Sequence, residues 1–268
     1  MDEETYGISF ADFVKKGLNN GTKFAALLDG NGHAVQNAKL MLDAVIVTNS
    51  ASSTWATGAN ITFYTDFIGL IAKEGTVKNL AIENLGLQTM AEAGYGVVNT
   101  LYTVGTDVNN TPETITYKVP GYIKTDFLGT FGIVYGTLEN CYIEWTPVMK
   151  NALAQWTQNN FAFGRWDGAT VKNCILVDTC KPTNGDHTYH ALRFLSGYTV
   201  TLENLIVVSA NQKDGGATVS GSYTQYKDFA TLQTAYTSDN ALFNGFEDWT
   251  ITLENNELTC NIKDGIAG

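Results

Sequence analysis

The chain has 268 residues, of which 44% are apolar and only 16% are charged, and its formal net charge is −11. A nucleic-acid groove needs clustered Lys and Arg, and a membrane span needs a long apolar run, and the sequence has neither. The many glycine and tyrosine residues are typical of a β-rich extracellular or virion protein. We therefore expect no nucleic-acid partner and no membrane insertion.

The first predicted element is a short amphipathic helix over residues 9–19. Its apolar stripe consists of Phe10, Phe13 and Val14. Such a helix would cover the open end of a stack of repeats. We therefore assign residues 1–22 to an N-terminal cap and residues 23–268 to one repeat domain, which reads like part of a longer protein.

A short pattern centred on asparagine then recurs six times along the chain. The central residues are Asn37, Asn79, Asn140, Asn173, Asn204 and Asn255. In each copy an apolar residue lies two places before the asparagine and another lies three places after it. Side chains of a strand alternate between its two faces. Before the asparagine the inward residues lie an even number of places from it, and after it they lie an odd number of places from it. The alternation therefore changes at the asparagine, which requires a bend in the chain there. Asparagine tolerates the left-handed backbone of such a bend, so each copy predicts strand, corner, strand.

These copies predict a stack. A single copy cannot bury its apolar face, so the copies must pile up around a shared core, with the asparagines in a ladder. The residues one and three places after each asparagine are predicted to be buried, except in the last copy, where Asn256 replaces an apolar residue and fits a terminal coil with a more polar outer end. Cys141 and Cys174 occupy the same position in adjacent copies and are predicted to be stacked buried thiols, although a disulfide is an alternative.

The chain resembles a known class of repeats. Residues 29–33 (D-G-N-G-H), the cell F-I-G-L-I at 67–71 and G-T-V-K-N-L at 75–80 are similar to GLUG-type repeats of bacterial surface proteins, within the pectate-lyase-like β-helix class. The resemblance implies an all-β fold, a right-handed single-stranded parallel β-helix, or solenoid, often in a cell-surface adhesin or a phage tail protein. It implies no particular ligand.

Four long insertions interrupt the repeats. They cover residues 84–126, 144–160, 178–190 and 209–240. A strand is predicted at 114–119, a short helix within 144–160, and a helix over about 227–236. All four leave after the same corner, so we expect them on one side of the solenoid, where repeat proteins often bind ligands.

The insertions supply the predicted ligand-binding residues. Aromatic rings give large contact areas and stack on sugars, so the candidates are Trp145, Trp156, Tyr189 and Tyr223. The alternative is that these rings pack the loops onto the solenoid. The first hypothesis is thus a non-enzymatic extracellular domain at a bacterial cell surface, or a phage virion protein, that binds a glycan or a host or bacterial surface protein.

A second hypothesis is a polysaccharide-degrading enzyme. The densest polar cluster could supply an acid, a base and a cation, and it consists of Asp186, His187, His190 and Arg193. The alternative for this cluster is a solvated loop. Because the motif set of polygalacturonases is absent, we expect no hydrolase or lyase activity. We also expect no metal and no cofactor, since cysteine and histidine spacings fit no zinc or calcium site.

Overall fold

The computed structural model describes residues 23–42, 45–48, 64–89, 101–106, 112–117, 127–146, 160–180, 189–211, 213–215, 218–239 and 241–263. The predicted N-terminal cap and its helix over 9–19 lie outside these residues. So do Trp156, Asp186 and His187 from the predicted sites.

The described chain consists of strands and one helix. The first half contains β1 (Lys23–Phe24), β2 (Leu27–Asp29), β3 (Ala34–Gln36), β4 (Lys39–Leu42), β5 (Val45–Thr48), β6 (Tyr64–Asp66), β7 (Leu70–Ile71), β8 (Thr76–Thr89), β9 (Leu101–Thr106), β10 (Pro112–Tyr117), β11 (Phe127–Gly129), β12 (Ile133–Val134) and β13 (Thr137–Trp145). The second half contains β14 (Asn160–Phe161), β15 (Arg165–Trp166), β16 (Thr170–Asp178), β17 (Tyr189–His190), β18 (Leu192–Phe194), β19 (Thr199–Ser209), β20 (Lys213–Gly215), β21 (Thr218–Tyr226), α1 (Phe229–Ser238), β22 (Trp249–Glu254) and β23 (Glu257–Ile262).

Three parallel sheets form the body of the molecule. A four-stranded sheet has the order β17-β14-β11-β6, and a six-stranded sheet has the order β1-β7-β12-β15-β18-β20. An eight-stranded sheet has the order β2-β8-β13-β16-β19-β21, with β3 and β4 also pairing with β8. Four successive segments enter these sheets in the same order, starting at β6, β11, β14 and β17. Stacked parallel strands visited in a fixed rotation are consistent with a parallel β-helix.

The asparagines bend the chain as the parity change predicts. All six have left-handed backbone, with φ between 50° and 58°. Four of them share one level of the eight-stranded sheet: Asn79, Asn140, Asn173 and Asn204. Side-chain bonds link them in pairs, with Asn140 Nδ2 donating to Asn79 Oδ1 at 2.8 Å and Asn204 Nδ2 donating to Asn173 Oδ1 at 3.1 Å.

The first and last asparagines do not belong to this ladder. Asn37 lies beside Asn84, which donates to it at 2.8 Å, because β3 pairs with the second half of β8. Asn255 and Asn256, with φ of 54° and 62°, form the loop between antiparallel strands β22 and β23. Two consecutive left-handed residues are typical of a type I′ hairpin turn. The sixth predicted copy is therefore a hairpin and not a layer of the stack.

A further layer occurs where an insertion was predicted. Strands β20 and β21, within residues 209–240, pair in parallel with β18 and β19. Gly221 of β21 has φ 92° and pairs in register with Leu202, two places before Asn204, and a Cβ there would lie 1.9 Å from the Leu202 carbonyl oxygen. This close approach leaves no room for a side chain, and β21 contains no asparagine.

The inward positions are confirmed in the four central copies. Eight residues at one and three places after the ladder asparagines are buried in one cluster: Leu80, Ile82, Cys141, Ile143, Cys174, Leu176, Leu205 and Val207. The first copy differs: Ala38, one place after Asn37, is only partly buried, and Val35, two places before Asn37, is 37% exposed. In the last copy Leu258 is buried, but in a separate cluster under the hairpin.

Truncating an inward side chain is expected to destabilise the fold strongly. Leu80→Ala or Ile143→Ala should lower the free energy of unfolding by about 2–5 kcal/mol, because each leaves a cavity in a fully packed layer. Chemical denaturation followed by circular dichroism measures this cost. Unchanged denaturation midpoints for both variants would contradict the assigned register.

The C-terminal residues cover the outer face of the eight-stranded sheet. We call residues 228–239 and 241–263 the C-terminal clip. Its helix confirms the predicted helix near 227–236, and Asp228 caps it by accepting from the Thr231 amide at 2.8 Å. Clip residues such as Leu232 and Trp249 pack against outward side chains of the sheet, including Tyr142 and Ile206.

The cysteines are free thiols within the described residues. Cys141, Cys174, Cys180 and Cys260 are all buried and none forms a disulfide. Cys141 and Cys174 are adjacent in register, as predicted. Burial raises the pKa of the Cys174 thiol, and the neighbouring Cys141 raises it further, so these thiols act as small apolar groups.

Candidate functional site

Three of the four predicted insertions connect the same two sheets, whereas the fourth, at 209–240, leads from β19 directly to β20 in the six-stranded sheet. Each of β8, β13 and β16 ends at the same side of the eight-stranded sheet, and the chain next enters the four-stranded sheet at β11, β14 and β17. Residues 90–126, 147–159 and 181–188 therefore connect the same two sheets. We call this edge the connection corner.

The first insertion and strand β5 form a separate three-stranded accessory sheet. Strand β10 pairs antiparallel with β9 from the same insertion and with β5, which follows β4. The predicted strand at 114–119 is confirmed, although β10 begins at Pro112 and ends at Tyr117. Antiparallel pairing thus ties the first insertion to the segment after β4 in a sheet separate from the three main sheets.

A buried polar network anchors the base of the connection corner. The Asp178 carboxylate accepts from Ser209 Oγ at 2.7 Å, from Asn211 Nδ2 at 2.8 Å and from the Cys180 amide at 3.0 Å. Asp178 and Ser209 are buried, and Gln225 extends the network by donating to the Ser209 and Asn211 carbonyls. Hydrogen bonds to a buried charge fix the start of the 181–188 connection. Asp178, Ser209 and Asn211 lie at or just beyond strand ends, outside the repeat pattern, so no sequence motif predicts this network.

The predicted ligand-binding residues divide into separate places. Trp145 ends β13 and is fully buried, which favours the alternative that this ring packs onto the solenoid, and the short helix predicted within 144–160 falls mostly outside the described residues. Tyr223 lies half-buried in the last layer, with its ring 6.3 Å from that of Phe194 in an edge-on contact. Tyr189 begins β17 at the connection corner, paired with Asn160.

Two of the four predicted catalytic residues meet at one aromatic ring. His190 stacks on Phe161 with ring centroids 6.2 Å apart, and the Arg193 guanidinium lies 5.6 Å from the same ring. Phe161 itself is buried. The contact orients a cation against an aromatic face. Within the described ranges no cluster of three or more His, Cys, Asp or Glu residues could hold a metal ion.

The chain's only two arginines are neighbours on the six-stranded sheet. Arg165 and Arg193 pair in register on β15 and β18. Arg165 binds the buried Asp167 through Nε, 3.0 Å from each carboxylate oxygen, and through one terminal nitrogen at 2.6 Å. Burial raises the pKa of the adjacent Tyr135, and the Asp167 charge raises it further. Arg165 lies on β15 and Asp167 directly follows that strand, so the R-x-D spacing was the available sequence signal.

No protein-family model, curated protein or solved structure matches the chain. In the part of the chain that the structure describes, no helix has the length and apolar character needed to cross a membrane. The proposed function therefore rests on the sequence resemblance and on the geometry of the connection corner.

Proposed function

We propose that the chain is a right-handed, single-stranded parallel β-helix of a bacterial cell surface that binds a glycan or a surface protein without chemical turnover. The GLUG-type resemblance at residues 29–33, 67–71 and 75–80 supports this fold and location. In such proteins the stack is a rigid frame and ligand recognition belongs to the insertions.

One observation carries the proposal: three insertions connect the same two sheets and so share one edge. Long connections in a compact domain are uncommon without a function, and here they are concentrated rather than scattered. The accessory sheet and the Asp178 network give the edge a fixed base. Trp156 belongs to the 147–159 connection, and Tyr189 directly follows the 181–188 connection, so both remain candidate stacking residues.

The test is a glycan array combined with binding to host and bacterial cells. The double variant Trp156→Ala and Tyr189→Ala is expected to lose binding by about tenfold or more, equivalent to about 1.4 kcal/mol. Tyr198→Ala is the matched control, because this exposed tyrosine lies between β18 and β19 at another corner. Wild-type protein that binds neither glycans nor cells contradicts the proposal, and so does a loss of binding in Tyr198→Ala alone.

A reducing-sugar assay on the same glycans separates binding from catalysis. The proposal expects no release of sugar by the wild-type chain. Turnover that disappears in Asp186→Ala or His187→Ala, with the fold retained, would instead establish a polysaccharide-degrading enzyme. His190 and Arg193, which both contact Phe161, are the described members of that alternative site.

A further inference from the structure

The inside of the stack becomes polar towards its C-terminal end. One column of residues runs in register from Leu85 through Trp145 and Asp178 to Ser209. All four are buried, but the first two belong to the apolar core, whereas the last two are a carboxylic acid and a hydroxyl. A buried carboxylate costs free energy unless hydrogen bonds replace its hydration, so a core position is unusual for one. This end of the stack therefore differs from an ordinary apolar core.

The last layer places a ring and an amide at two inward positions. Tyr223 and Gln225 of β21 pair in register with Leu205 and Val207, which are buried core residues of the layer before. Tyr223 is only partly buried, with its ring edge-on to Phe194, and Gln225 is exposed. The two side chains therefore stand two places apart on the same side of β21, at the end of the stack.

The buried network holds the Gln225 amide in one orientation. Gln225 Nε2 donates to the Ser209 carbonyl at 3.0 Å and to the Asn211 carbonyl at 2.8 Å. Asp178 in turn accepts from Ser209 Oγ and from Asn211 Nδ2, so the buried carboxylate fixes both of these residues. An amide has two N–H donors and one carbonyl oxygen, and here Nε2 is directed at the protein. The network thus presents Gln225 Oε1 as an oriented acceptor for a ligand.

We infer that Tyr223 and Gln225 form a subsite for a neutral saccharide at the C-terminal end of the stack. The inference rests on the proposed glycan binding and deepens it by naming two contact residues and the class of sugar. The apolar face of a sugar ring packs on an aromatic side chain, and its hydroxyls donate to an amide oxygen. The subsite adjoins the connection corner, because Gln225 is bonded to the network at the base of that corner.

The charges around the subsite favour an uncharged ligand. Strand β21 contains no charged residue, and the network behind Gln225 carries the negative charge of the buried Asp178 carboxylate. Burial reduces the screening of that charge by water and salt. The whole chain also has a net charge of −11. A sugar carboxylate would therefore be repelled, and a neutral sugar should bind more tightly than the corresponding uronic acid.

Isothermal titration calorimetry of the full chain tests the inference. The probes are neutral oligosaccharides of glucose, mannose and galactose, and the oligosaccharides of the corresponding uronic acids. Wild type should bind at least one neutral probe with a lower Kd than its acidic counterpart. Gln225→Ala and Tyr223→Leu should each raise that Kd about tenfold, because each removes one contact with the sugar. Thr224→Ala is the matched control, because this exposed residue lies between them and pairs with the outward Ile206.

The outcomes separate this inference from the proposed function. Wild type that binds no neutral probe, or binds the acidic probe equally well, overturns the inference, while cell binding would still support recognition of a surface protein. If the Trp156→Ala and Tyr189→Ala double variant weakens sugar binding but the Tyr223 and Gln225 variants do not, the inference alone fails. If Tyr223→Leu does not fold by circular dichroism, Gln225→Ala decides, because this side chain is exposed.

Discussion

Replacing Trp249 by alanine is expected to lower the free energy of unfolding by about 3–5 kcal/mol, the usual cost of deleting a buried tryptophan. Trp249 is buried between the clip and the sheet, in one cluster with Tyr142, Ile175 and Phe246. Its indole N–H donates to Asn140 Oδ1 in the ladder. The variant therefore loses apolar packing and leaves a ladder amide without its donor. Chemical denaturation followed by circular dichroism measures the loss.

Two controls separate packing from the hydrogen bond. Trp249→Phe keeps a ring in the cluster but removes the donor, so its cost should be smaller than that of Trp249→Ala. Thr250→Ala, at the exposed neighbouring position, should change stability by less than about 0.5 kcal/mol. If Trp249→Ala denatured like Thr250→Ala, the clip would not be part of the cooperative fold.

The large effect expected for Trp249 reflects how the clip crosses several layers. In a stack of repeats each layer contacts only its neighbours, so stability is close to a sum of local terms. The clip starts beside the last layer and returns to earlier ones. Gly245, with φ 94°, is so close to Asn204 that a Cβ would lie 2.6 Å from its Nδ2. Asp248 lies 3.4 Å from Asn140 Nδ2 two layers away, so one segment couples separated repeats.

The bends of the central layers could be predicted from sequence, because the alternation of inward and outward side chains depends only on residues a few places from each asparagine. An asparagine at a change of parity predicts a left-handed bend wherever it occurs, and all six have one. Whether the following strand continues to the next layer or folds back is decided by tertiary contacts. The motif around Asn255 forms a hairpin, and its local pattern differs from the other five in one place, since Asn256 stands where they have an apolar residue. The layer of β20 and β21 was not predicted, because β21 contains no asparagine and pairs with β19 through a register shift between Leu202 and Leu205.

The candidate site was harder to predict, because the aromatic content of an insertion does not show which of its side chains are buried. Trp145 was grouped with an insertion, yet it lies five places after Asn140 and continues the odd, inward positions of Cys141 and Ile143. Extending the parity rule by one step would have placed it in the core. Tyr223 likewise pairs in register with the buried Leu205. The Asp178 network joins residues from two strand ends and one loop, and no single local pattern contains it.

Replacing Trp145 by alanine is expected to cost about 3–5 kcal/mol, whereas Trp145→Phe should cost markedly less. The ring is fully buried, so alanine leaves a large cavity. The indole N–H, however, is buried and has no hydrogen-bond partner among the described residues, so phenylalanine also removes an unsatisfied donor.

Trp166→Phe is the matched comparison for Trp145→Phe. Both tryptophans are fully buried in the same core cluster, but Trp166 Nε1 donates to the Phe163 carbonyl at 2.8 Å. Trp166→Phe therefore leaves a buried carbonyl without its donor and should cost about 1–3 kcal/mol more than Trp145→Phe. Equal denaturation midpoints for the two phenylalanine variants would mean that the Trp145 N–H is satisfied in solution. Glycan and cell binding by folded Trp145→Phe should equal that of the wild type, because a fully buried ring does not contact a ligand.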